Sequence, residues 1–155
     1  MIDVWTMAAL VASVGAGVCA GALFAFSSFV MPALGALPPA EAIGAMQAIN
    51  RAAPSPSFMA VLFGPGLLLV VLLVGGGELW RVPPVWGAAG LYLFGVVGMT
   101  AFWHVPLNNG LDQVNPMGCD AAAVWTRYAQ RWTTWNHARA FAAALTCGLL
   151  GVGVL

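Results

Sequence analysis

Lysine is absent from this chain, and five arginines and five carboxylates carry all of its formal charge. Charged residues are 6% of the 155, against about a quarter in an ordinary soluble domain. So few charges cannot clothe the surface of a soluble protein, whereas lipid accepts an excess of apolar side chains. The net charge is zero and no basic tract is present, which removes any electrostatic footprint for nucleic acid. Cysteine is scarce as well. Cys19, Cys119 and Cys147 have separations that fit neither a disulfide framework nor a close metal pair. Two of them, Cys19 and Cys147, fall in apolar runs, where a thiol is a small packing residue. The leading residues before Trp5 contain no basic side chain, and the apolar run behind them outlasts a signal-peptide core. A retained transmembrane helix is therefore expected there.

What the sequence has in abundance is hydrophobic residues, 61% of the total. They form four runs, at about 4–31, 58–75, 85–107 and 138–155. A helix needs about 20 residues to cross the hydrocarbon, so the last run is adequate only if its helix begins near Ala121. The expected fold is all-α, a single transmembrane domain over 1–155. It is an integral membrane four-helix bundle with a short interfacial helix between spans one and two. Ala42, Ala45, Met46 and Ile49 recur at helical spacing in that connecting segment. Pro32 is the expected end of span one. Pro54–Ser55–Pro56–Ser57 is expected to cap span two, which Pro65 either kinks or shortens at its start. The run Gly75–Gly76–Gly77 closes that span before Glu78. Gly15, Gly17 and Gly21 give span one a small-residue surface that permits close helix contact and invites a homo-oligomer.

Arg51, Arg127, Arg131 and Arg139 fall on one side of a four-span topology and Arg81 on the other. The positive-inside rule then puts both termini outside a bacterial plasma membrane. The expected partners are membrane lipids and a small lipophilic molecule, not nucleic acid.

Three polar patches interrupt the apolar sequence. His104 to Asn109 ends span three, Trp132 to Arg139 enters span four, and Glu41, Gln47, Asn50 and Arg51 lie in the interfacial segment. Helical spacing puts Trp132, Asn136 and Arg139 on one face, and His104 and Asn108 are four apart. Neighbouring spans would bring these patches together. Arg139 is costly to bury without an anionic partner. Structural roles account for the same residues: Asn108 and Asn109 as helix caps, Asn136 as interhelical glue, Arg139 reaching headgroups, the tryptophans as an interfacial belt. His104 and His137 also invite haem ligation, although two histidines without other donors make a thin metal site.

The segments Phe26–Leu34, Met46–Asn50, Val105–Asn109 and Trp125–Tyr128, with Trp132 and Asn136–Arg139, give the chain its likeness to known sequences. In order and spacing it resembles the anthrone-oxygenase-like family of small membrane proteins over nearly its whole length. The resemblance implies four transmembrane helices. It also implies a membrane-bound oxidoreductase that oxygenates an anthrone-like aromatic with molecular oxygen and no cofactor. Transferred to this chain, that chemistry needs a base, His104 or His137, and Asn108, Asn136 and Arg139 to hold an enolate oxygen. Trp132 would stack on the ring system, with Asn109, Gln47 and Asn50 as further substrate contacts. The alternatives are a non-enzymatic membrane protein that binds or moves a small lipophile or solute, and a haem-binding bundle.

Overall fold

The computed structural model describes residues 3–75 and 81–154. Asp3 opens the first helix by accepting the Trp5 and Thr6 amides at 2.8 and 3.0 Å, which satisfies donors that have no partner within the helix. Helix α1 (Val4–Ala25) does not stop before Pro32. It widens into a π turn over Phe26–Val30 and continues as α2 (Met31–Gly35). Proline lacks an amide hydrogen and crowds the carbonyl four residues back. The π turn absorbs this by sending the Met31 amide to the Phe26 carbonyl, five residues back. The end expected at Pro32 is thereby displaced to Gly35.

Helix α3 (Pro39–Ala52) follows, and α4 (Pro56–Gly75) then runs unbroken through Pro65. The Ser55 hydroxyl accepts the Phe58 amide at 3.4 Å at its start, as the Pro–Ser segment led one to expect. The third rod comprises α5 (Pro83–Tyr92), π turns at Leu93–Gly98 and Thr100–His104, and α6 (Val105–Asp112). Its second π turn repeats the first device: the Val105 amide reaches the Thr100 carbonyl, and Pro106 comes next. Helix α7 (Ala121–Val154) is continuous over 34 residues. The expected closure of span two at Gly76, Gly77 and Glu78 lies outside the described residues, as do Met1, Ile2 and Leu155.

Among the described residues there are five helical rods, and three are long and apolar enough to cross a membrane: Val4–Gly35, Pro56–Gly75 and Pro83–Asp112. The chain is therefore an all-α, multi-pass integral membrane protein, but not the plain four-helix bundle expected from its sequence. Helix α7 is not one of those three, and Arg127, Gln130 and Arg131 make its first half polar.

The interior of the bundle is lined with small residues. Helix α7 packs most extensively along α1, next along α5, while α1 also packs on α4. Ala9, Ala12, Ala16 and Cys19 are buried on α1, and Val4, Val14, Val18 and Phe24 face outward. Large apolar side chains on the outside are the arrangement that lipid contact favours. A Cβ added at Gly15 would lie 2.9 Å from Pro65 Cγ, and one at Gly17 would lie 3.3 Å from Cys147 Sγ. Those two glycines serve contacts within the chain, so they supply no argument for an oligomer.

Two features of the packing position the site. Helix α4 packs on α5 and on Leu93–Gly98, then diverges from 100–112 and leaves a wedge. Helix α3 closes one end of that wedge by joining a second apolar cluster, formed by Met31, Ile43, Met46, Leu111, Trp125 and Trp132 among others.

Candidate functional site

The wedge holds a cavity of about 350 Å³, within the usual size range of ligand pockets, about 300–1,000 Å³. Leu23 and Phe26 border it from the first rod, and Met46 and Asn50 from α3. Phe58 and Leu62 border it from α4, Thr100, His104, Asn108 and Asn109 from the third rod, and Trp132 and Arg139 from α7.

Helical periodicity puts Trp132, Asn136 and Arg139 on the inner face of α7, and all three are buried. Asn136 is fully enclosed. Its Nδ2 donates to the Leu23 carbonyl and the Ser27 hydroxyl, both at 2.7 Å. Those bonds fix the amide so that Oδ1 accepts from Arg139 Nη2 at 2.6 Å. Arg139 Nη1 donates to the Thr100 hydroxyl at 3.0 Å, and that hydroxyl donates in turn to the Val96 carbonyl at 2.7 Å. The guanidinium, 5% exposed, still has a buried Nε without a partner. Among the described residues the ion pair present is Arg51–Asp112, 2.7 Å across the cavity rim, and no carboxylate pairs with Arg139.

His104 is 2% exposed. Its Nδ1 lies 3.3 Å from the Met99 carbonyl, an acceptor only, which favours the neutral tautomer with its proton on Nδ1. The ring's Nε2 is buried and unpartnered. The imidazole meets the Trp132 indole edge-on at 5.3 Å, and Arg139 Cζ sits 5.8 Å from the same indole. Phe26 flanks Trp132 at 5.8 Å. Asn108 Oδ1 accepts from the Tyr128 hydroxyl at 2.9 Å and from Trp132 Nε1 at 3.1 Å, and so it ties the third rod to α7.

Seven of the nine residues singled out in the sequence come to this place: His104, Asn108, Asn109, Trp132, Asn136 and Arg139, with Asn50 at the α3 edge. The remaining two do not. His137 is exposed and borders a separate groove with Gly21 and Phe24, because it follows Asn136 by one residue on α7 and faces another way. Gln47 is buried away from the cavity wall and donates to the Leu111 and Val114 carbonyls at 2.9 and 3.0 Å, which anchors α3 to the end of the third rod. The two histidines are therefore not placed as a pair that could ligate one haem within this chain. Among the described residues no cluster of three His, Cys, Asp or Glu side chains is assembled to hold a metal. Reading the sequence missed Thr100, Ser27 and the Tyr128 hydroxyl. The spacing of Thr100, His104 and Asn108, four residues apart in series, was the available signal for the first.

The fold and site define a membrane protein with a cavity walled by aromatic and aliphatic side chains and bordered by polar groups from α3, the third rod and α7. A family model described as anthrone oxygenase matches residues 55–149. That is more than half of the chain, and the chain belongs to this family. The match takes in α4 to most of α7 and leaves Ser27, Gln47 and Asn50 outside it. No curated protein and no solved structure matches the chain.

Proposed function

We propose that this protein is a membrane-bound oxygenase that oxidises a lipophilic aromatic substrate with an acidic methylene, of the anthrone type, using molecular oxygen and no cofactor. The observation that carries the reading is that His104 and Arg139 both border the cavity beside the indole of Trp132, each with a buried ring or guanidinium nitrogen that has no partner.

The chemistry follows from those groups. His104 Nε2 takes a proton from the methylene carbon, and the electron pair moves into the ring system as an enolate. Arg139 faces the developing oxyanion in a dry site, where preorganised donors act most strongly. Trp132 and Phe26 hold the flat ring system. The carbanion passes one electron to oxygen, giving superoxide and a carbon radical that join as a peroxide anion at the former methylene, and this takes back the proton held on His104 to become the hydroperoxide. Loss of water from that hydroperoxide breaks the O–O bond and leaves a carbonyl. One oxygen molecule is consumed, and one quinone and one water are formed.

The second half of α7 is the fourth crossing in this reading. Phe141, Leu145 and Val152 point outward there while Ala143, Thr146 and Leu150 are buried. Helix α7 is about 51 Å long at 1.5 Å per residue, and about 30 Å of it suffices for the hydrocarbon. Its first half projects beyond and packs under α3. Arg51, Arg127 and Arg131 are exposed at that end, which by the positive-inside rule faces the cytoplasm of a bacterial plasma membrane.

The test is oxygen uptake by purified protein in mild detergent with anthrone, followed with the ultraviolet–visible spectrum of the same sample. Stoichiometric quinone formation above the autoxidation blank supports the reading. A protein that binds anthrone without oxygen uptake is a binding protein, and a strong Soret band redirects the chemistry to haem.

A further inference from the structure

We infer that the cavity takes its ligand as an organic anion, and that Arg139 is the receptor for one carboxylate or phenolate carried on a fused aromatic ring. This rests on the reading of the cavity as the substrate pocket, and it concerns the bound ground state before any oxygen chemistry.

The argument begins with charge. Among the residues that border the cavity are two arginines and one aspartate. Arg51 and Asp112 are paired at the exposed rim, so the interior keeps one positive charge without a counterpart among the described residues. Burying a cation in this way is expensive, and proteins compensate such charges with a partner. Here the protein supplies only neutral acceptors, Thr100 and Asn136. Both are held by further hydrogen bonds to backbone carbonyls, so the guanidinium is fixed rather than free to reach the headgroups. Its Nε remains unsatisfied. A guanidinium presents five donors in a planar fork that suits a carboxylate, and two of its protein-facing bonds are accounted for. Beside this one cation the wall is aromatic and aliphatic: Phe26, Phe58, Leu62 and Trp132. A single negative group on a flat apolar body matches both parts. A free inorganic anion would leave the apolar wall uncovered, and a neutral hydrocarbon would leave the charge unpaired.

The probe pair is 2-naphthoate and 2-naphthamide, nearly equal in shape and differing in charge at neutral pH. Binding is measured by calorimetry on the protein in zwitterionic nanodiscs, with empty discs as the blank. Wild-type protein is expected to bind the acid about ten- to hundredfold more tightly than the amide, the range for one charge-assisted contact. Arg139→Gln removes the preference. Arg139→Met, an uncharged side chain of similar length that leaves no polar group to bury, removes it as well and guards against a folding failure of the first variant. Equal binding of acid and amide by wild type overturns the inference, as does no saturable binding of the acid, or a preference that survives in both variants. Oxygen uptake with neutral anthrone on the same discs separates the two readings. Uptake without anion preference leaves the oxygenase standing and sinks the anion receptor, and the reverse result does the opposite.

Discussion

Arg139 Nη2 and Asn136 Oδ1 are 2.6 Å apart on successive turns of one helix, and neither side chain faces lipid. The amide presents its oxygen to the guanidinium because its nitrogen is held by Leu23 and Ser27 on another rod. One asparagine thereby fixes the pose of the arginine and clasps α7 to α1. Asn136→Ala would leave a guanidinium donor unsatisfied and take one donor from the Leu23 carbonyl, which keeps the Phe26 amide. The expected loss is about 2–4 kcal/mol from these buried groups, read from denaturant unfolding in detergent. A change near zero would mean that water replaces the amide.

The two histidines should behave differently. His104→Ala is expected to lower anthrone turnover by about 10²–10⁴, the usual contribution of a positioned base. Anaerobic exchange of the methylene hydrogens for deuterium should slow in parallel. His137→Ala should stay within about twofold, its side chain lying outside the cavity. An unchanged exchange rate in His104→Ala would rule out a histidine base.

Asn108 is the shared acceptor of Tyr128 and Trp132. Asn108→Leu strands both donors, with an expected cost of about 2 kcal/mol, whereas Asn108→Asp keeps the acceptor and should retain most of the stability. Indole fluorescence in a variant with Trp132 as its sole tryptophan gives a local readout. If the emission and quenching of Trp132 are alike in the parent and in Asn108→Leu, the bond does not hold the indole in place.

Close approach between rods is most acute at Gly95, where an added Cβ would lie 2.7 Å from Ala142 Cβ. Gly95→Ala should destabilise the bundle by about 1–3 kcal/mol through overpacking. Ala142→Gly in the same chain should restore part of the loss. Absence of any rescue would show that the cost arises elsewhere.

The helices and the polar face of α7 were legible because periodicity and hydropathy are carried along the chain. Trp132, Asn136 and Arg139 declared themselves by spacing alone. Other parts depend on contacts distant in sequence. Gln47 looks like a candidate ligand group until Leu111 and Val114 are seen beside it, and nothing in its own neighbourhood announces that pairing. Ser27 gains its role only from Asn136, 109 residues away. Pro32 reads as a stop because proline breaks an α-helix; the π turn that lets the helix pass through it is a property of backbone geometry without a simple compositional sign. The small-residue face of α1 was read correctly as a close-packing surface, but its partners, α4 and α7, lie within the same chain.

The π turns also make the pocket's sensitivity to chain length depend on position. A π turn takes up more residues than an α turn for about the same rotation. Removing one residue from Thr100–His104 would return that turn to the α-helical repeat and leave the facing of the segment beyond it nearly unchanged. Removing Leu107 from the regular helix α6 would instead turn Asn108 by about 100°, away from Tyr128 and Trp132, while composition and hydropathy stayed nearly the same. Single-residue deletions, silent to any count of apolar residues, are therefore expected to be absorbed at the π turn and to cost the cavity its Asn108 contacts just beyond it.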